Sequence, residues 1–177
     1  MTELALDIRP QSADDAIAVE RLNARTYGPG RFARTAYRLR ERVPPEPNLS
    51  FVARVGTLLV GSVHMTRILI GDAPALLLGP LTVEPAFRKH GIGGRLIARA
   101  LEAARSHGHR LVILVGDEPY YAKSGFRRVP HGRFEMPGPV DPDRLLYVEL
   151  VPGAFAGMAG PVLEDLVWAH EMRRRAG

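Results

Sequence analysis

The 177-residue chain contains no cysteine. Disulfides, thiolate metal sites and a cysteine nucleophile are all excluded, and the expected compartment is a reducing cytoplasm. No apolar run reaches the roughly 18–20 residues that a membrane-spanning helix needs, so no membrane role is expected. The first ten residues carry Glu3 and Asp7 and lack a basic head followed by an apolar stretch, so they do not read as a secretory signal. The six histidines are scattered without HxxxH spacing, and no metal is expected. Tryptophan occurs once, as Trp168, and only two of the 24 basic residues are lysine. What remains is ordinary: 46% apolar and 24% charged residues, in a length that suits one domain over 1–177 with a sizeable core.

The net charge is +5, with a sequence pI near 10.1. A basic balance of this size raises nucleic acid as a partner, but its distribution argues against one. Six arginines (Arg25, Arg31, Arg34, Arg38, Arg40, Arg42) stand against Glu41 alone within 25–42, and the rest of the chain holds 18 basic and 18 acidic residues. The basicity belongs to one segment.

Alternation predicts a strand over 4–9. Ser12 followed by Asp15 resembles a capping box, opening a helix with Ala16, Val19 and Leu22 on its apolar face. Gly28-Pro29-Gly30 ends it, and a second, arginine-rich helix is expected over 31–42 before the prolines at 44, 45 and 47. Strands follow over 49–54, 57–70 and 75–83. Leu96, Ile97, Ala100, Leu101 and Ala104 form one stripe of a helix over 91–106. The continuous apolar run at 111–115 suits a buried strand. Further expectations are a helical turn over 120–124, strands over 126–129 and 145–151, and a final helix over 161–175. That helix would carry Trp168, packed on the sheet or at a dimer contact. The fold class is mixed α/β.

The stretch Leu77–Gly94, LLGPLTVEPAFRKHGIGG, runs from a strand through a basic loop into a glycine-opened helix. The first N–H groups of a helix lack partners and its dipole favours negative charge, so this is an anion site. A nucleotide P-loop needs GxxxxGK[ST], which is absent. A dinucleotide fold needs a third glycine where Leu96 stands, and an acid about 20 residues on, which is missing. The pyrophosphate of coenzyme A is the third candidate. Pro80 cannot donate to a ladder, so the strand is expected to carry a bulge or a break there.

Arg88-Lys89-His90-Gly91-Ile92-Gly93 resembles the Gln/Arg-x-x-Gly-x-Gly/Ala motif of the GNAT superfamily of N-acetyltransferases. Leu81–Pro85 resembles the strand that precedes that motif, and Tyr120-Tyr121-Ala122-Lys123-Ser124-Gly125-Phe126 resembles the family's tyrosine-then-GF segment. The resemblance covers 50–129 and is nearest the bacterial YhbS-like branch. It implies a central mixed sheet with a splayed strand pair, flanked by helices, and acetyl-CoA as acyl donor. Leu81, Thr82 and Val83 would hold the thioester and pantetheine, the Leu81 N–H polarising the thioester carbonyl. Arg88, Lys89, Gly91, Ile92, Gly93 and Gly94 would hold the pyrophosphate. Tyr121, four residues before Gly125, would be the general acid, with Tyr120 less suited. Direct attack by a primary amine, on a small molecule or a peptide, would need no covalent intermediate. No base is fixed: His64 reads as a structural histidine and Glu84 as a surface residue. The arginine segment would border the acceptor. A non-catalytic module binding acyl-CoA or a polyanion is the competing reading.

Overall fold

The computed structural model describes residues 3–177. Its organising feature is a long antiparallel pair at the centre of a mixed sheet. In chain order the elements are β1 (Leu6–Pro10), α1 (Ala16–Tyr27), α2 (Thr35–Arg38), β2 (Phe51–Val55), β3 (Leu58–Ile70), β4 (Ala73–Val83), α3 (Ile92–Ser106), β5 (Leu111–Val115), α4 (Glu118–Tyr121), β6 (Arg127–Arg128), β7 (Phe134–Glu135), β8 (Leu145–Glu149), β9 (Gly160–Glu164) and α5 (Leu166–Ala176). The strands run β1-β2-β3-β4-β5-β8-β6, and β9 lies against β3 and β7. All neighbours on the main path are antiparallel except β4 and β5.

The sheet separates its helices because its strands are apolar on both faces, as the run at β5 predicts. On one face α3 lays Leu96, Ile97, Ala100 and Ala104 against Phe51, Val63, Leu76 and Val112. Each large aliphatic side chain buried here stabilises the fold by about 1.5–3 kcal/mol. On the other face α1 packs Val19 and Leu22 on Val52 and Leu59, and Leu39 joins Ile68, Leu77 and Ile113. The capping pair forms: the Ser12 N–H donates to Asp15 Oδ2 at 2.9 Å. Asp15 is buried, and its other oxygen takes Arg54 Nη2 at 2.6 Å, tying the start of α1 to β2.

Two expected helices are corrected. Residues 31–42 do not form one helix. A 3₁₀ turn at Pro29–Ala33 and the single turn of α2 are separated by Arg34 in extended conformation (φ −72°, ψ 139°). The segment is shaped by tertiary ties instead: Thr35 Oγ1 donates to Pro139 O at 2.6 Å, Arg38 Nη1 donates to Pro137 O at 3.1 Å, and Leu39 and Val43 are buried. The final helix starts at Leu166 rather than 161. Residues Ile68, Leu69 and Ile70 extend β3 past the end of β2 and leave an open edge, which Glu164, Leu163 and Val162 pair antiparallel. Val162 is buried while Leu163 is 47% exposed, an alternation of period two. Asp165 then caps α5, accepting from the Trp168 N–H at 3.1 Å. Trp168 is half-buried, with the Arg67 guanidinium 5.1 Å from its ring centroid. Strand β7 was not anticipated.

Candidate active site

The β4–β5 ladder lasts for two residue pairs, Leu76–Val112 and Leu77–Ile113. Beyond Leu77 the strands part. The next residues include Pro80, which has no N–H to give, and the Gly79–Pro80 peptide is cis. Pairing with β3 slips there too: Val63 faces Leu81 and Met65 faces Leu78, so Gly79 and Pro80 oppose the single residue His64. The expected break at Pro80 is therefore present on both sides of β4.

Register decides which groups face the opening. The Glu84 N–H donates to Val60 O at 2.8 Å. Antiparallel pairs alternate, so Thr82 and Ser62 exchange hydrogen bonds while Leu81 and Val83 turn their N–H and C=O groups away from β3, into the gap. The Tyr27 hydroxyl donates to Leu81 O from that side, which agrees with this direction. Thr82 is placed differently. Its backbone is engaged by β3, its side chain is buried on the α1 face, and Oγ1 meets Asn23 Oδ1 at 2.5 Å.

At the far end of the gap stands the start of α3. Gly91 is its left-handed N-cap (φ 72°), and Lys89 is also left-handed (φ 74°), a conformation that costs a non-glycine residue about 1–2 kcal/mol. The loop thus turns sharply and leaves the first amides of α3 without intrahelical partners. Arg88, Lys89, Gly91 and Gly94 are exposed. A Cβ at Gly93 would lie 2.1 Å from Tyr120 Oη, so glycine there admits the Tyr120 hydroxyl against the helix backbone.

At the other end the gap opens into a cavity of about 700 Å³, lined by Tyr27, Arg40, His64, Leu81, Tyr121 and Arg144 among others. Tyr121 lines it and Tyr120 does not. The Tyr121 ring lies so close to Gly116 that a Cβ there would be 2.3 Å from Cε2, and its other faces meet Tyr120 and Phe126 edge-on. Burial raises the pKa of this phenol strongly, with Tyr27 and Tyr120 adding to the effect, so it stays protonated at neutral pH. His64 is moved the other way, down to about 4, by burial first and Arg40 second. Its Nε2 lies 2.7 Å from Gln11 Oε1, which can only accept, so Nε2 carries the proton. Glu84 is outside the cavity and paired with Arg25 at 2.6 Å. Among the described residues no group of three His, Cys, Asp or Glu could hold a metal ion, and no helix is long and apolar enough to cross a membrane.

Of the six clustered arginines, Arg31, Arg34 and Arg40 line the cavity, while Arg25, Arg38 and Arg42 do not. Tyr27 and Thr66, also in the lining, carry no sequence signal.

Residues 46–128 match the family model described as the acetyltransferase (GNAT) domain. That match spans just under half of the chain, from the turn before β2 to β6. Outside that segment the GNAT resemblance continues in sequence and in fold. An uncharacterized N-acetyltransferase of Escherichia coli K12, YjhQ, is 33% identical over 116 residues; the match covers 63% of this chain and 64% of the length of that curated relative. Among solved structures, the GNAT family N-acetyltransferase YhbS from Escherichia coli, in complex with CoA, superposes with a TM-score of 0.79 over 93% of this chain and 92% of that one, at 21% identity. A GNAT family acetyltransferase from Brucella melitensis, in complex with acetyl-CoA, gives 0.58 over 86% and 99%, at 27% identity. The likeness to YhbS shows the GNAT fold over 93% of this chain.

Proposed function

We propose that the protein is an acetyl-CoA-dependent N-acetyltransferase in which a primary amine, on a small molecule or a peptide, attacks the thioester directly. The observation that carries this reading is the parted β4–β5 pair. Its outward-facing Leu81 and Val83 amides lie between an anion-ready helix start and a cavity that holds a protonated phenol. Phosphates would sit on the first amides of α3 at Ile92, Gly93 and Gly94, with Gly91 shaping the turn and Arg88 and Lys89 adding charge. The pantetheine arm would run along the edge of β4 as an added strand on Val83 and Leu81. Thr82 contributes by pinning β4 to α1 through Asn23. A Brucella relative bound to acetyl-CoA supports the donor.

In the reaction the amine nitrogen bonds to the acetyl carbon, and negative charge develops on the carbonyl oxygen beside the Leu81 N–H. Collapse breaks the C–S bond. Tyr121 donates its proton to the departing thiolate and recovers one from water. The amine gives its own proton to water in the open cavity, because His64 is too weak a base and Glu84 faces elsewhere. The test is free-thiol release from acetyl-CoA across a panel of primary amines. Amine-dependent release is expected. Binding of acetyl-CoA without release for any amine would leave a non-catalytic acyl-CoA module.

A further inference from the structure

Among the described residues two arginines of the cavity lining have no carboxylate partner, the exposed Arg34 and the half-buried Arg40. Arg40 lies beside Gly79, where a Cβ would be 2.6 Å from its Nη2. Its Nε is buried and has no hydrogen-bond partner, and no carboxylate pairs with it among the described residues. Other arginines of the segment are engaged: Arg25 with Glu84, Arg31 with Glu20 and Arg42 with Glu164, each at 2.6 Å, and Arg38 with Pro137 O. Arg34 is exposed and lies 5.2 Å from the Tyr27 ring centroid. Of the two acids in the lining, Glu20 is taken by Arg31, and Asp141 is exposed and accepts from the Asp143 N–H. A second donor waits nearby: Thr66 is 1% exposed, lines the same cavity, and its Oγ1 has no partner.

Burying an unpaired guanidinium costs free energy that a partner would return. Burial lowers the Arg40 pKa to about 10, the Tyr27 and Tyr121 phenols partly opposing it, so the group is still charged at neutral pH. We propose that Arg40 binds a carboxylate on the acceptor, so that the preferred substrates are amines carrying a carboxylate rather than simple alkylamines. A guanidinium matches a carboxylate with two parallel hydrogen bonds, and one positive charge neutralises a monoanion but under-neutralises a phosphate monoester. Arg40 lies beside Gly79, two residues before Leu81, so an acceptor anchored there presents its amine toward the thioester end of the gap.

The substrate class rests on the acetyltransfer reading, but its test includes a measurement without turnover. N-acetyl ω-amino acids of two to six carbons, each with its own primary amide, are compared by thermal shift and calorimetry on the wild-type protein. At least one carboxylate should bind about ten- to a hundredfold more tightly than its amide, the usual span for a hydrogen-bonded charge. Arg40→Met should abolish the difference and leave acetyl-CoA affinity unchanged. Removal of an unpaired buried charge should also keep or raise the Tm. In turnover, KM for the carboxylate-bearing amine should rise about tenfold or more in the variant, with KM for its neutral analogue unmoved. Equal binding of every carboxylate and amide to wild type, which needs no variant to fold, would overturn the proposal. A weakened acetyl-CoA affinity in Arg40→Met would overturn it as well, placing Arg40 on the donor. Carboxylate-selective binding with no thiol release would leave Arg40's role standing and overturn only the transfer reading.

Discussion

Tyr121 and His64 face one cavity, and burial moves both in the direction that keeps them uncharged. For Tyr121 that preserves the proton which the proposed reaction gives to the departing thiolate. Tyr121→Phe keeps the ring against Gly116 and Phe126 and removes only the hydroxyl. Turnover should fall by about 10²–10⁴-fold with acetyl-CoA affinity little changed, read by steady-state kinetics and calorimetry. Undiminished turnover would return the proton transfer to water. For His64 the consequence is thermodynamic. Its folded pKa of about 4 lies below the ordinary 6.5, so the unfolded chain takes up a proton that the native one refuses. Stability is complete above about pH 6.5 and falls as the pH drops toward 4. The loss should reach about 2–3 kcal/mol by pH 4.5 from this residue, at 1.36 kcal/mol per pKa unit. His64→Gln cannot charge, so urea unfolding of the variant should show that much less difference between pH 7.5 and 4.5. Identical acid sensitivity in the two proteins would contradict the assignment.

Elements differ in how much of their cause is local. Helix α3 has its stop and its stripe in adjacent residues, and the expected span of 91–106 agrees with Ile92–Ser106. The break at Pro80 was legible for the same reason: a missing donor is a property of one residue. Residues 161–164 were not legible, because Val162 and Leu163 fit a helical stripe as well as a strand when only a few positions are sampled. What decides is the open edge of β3 at Ile68–Ile70, about 90 residues earlier in the chain. The one local clue was Asp165, whose carboxylate caps α5. Only Ala169 of α5 is buried, so the cap carries a large share of that helix's stability. Asp165→Ala should cost about 0.5–2 kcal/mol. The loss should be confined to this helix, seen as faster amide exchange over 166–170 with rates in α3 unchanged. Uniform acceleration across both helices would show instead that α5 unfolds only with the whole molecule.

At the scale of the molecule, donor and acceptor sides of the site are written differently in the chain. The proposed donor side comes from one contiguous stretch, Leu81 to Gly94, so a motif carries it. The proposed acceptor side, the cavity, gathers Tyr27, Arg40, His64 and Thr66 from α1, the arginine segment and β3, and a cavity has no motif. The clustering of charge pointed to a segment of which Arg31, Arg34 and Arg40 line the cavity. Which arginines remain unpaired depended on partners such as Glu20 and Glu84, fixed only by folding. The proposed reaction requires acetyl-CoA to lie across the start of α3, and Gly94 tests that position cleanly. A Cβ there meets nothing within 4 Å, and its φ is ordinary. An aspartate in the first turn suits the helix dipole by about 0.3–1 kcal/mol, so the fold should be kept or strengthened. The same charge opposes a pyrophosphate. The deciding measurement is calorimetric titration of acetyl-CoA into wild type and Gly94→Asp, each with its Tm determined. One-site binding to wild type, weakened more than about tenfold in a variant of equal or higher Tm, is the predicted result, about 1.4 kcal/mol or more of lost attraction. Equal affinities in two folded proteins would contradict it.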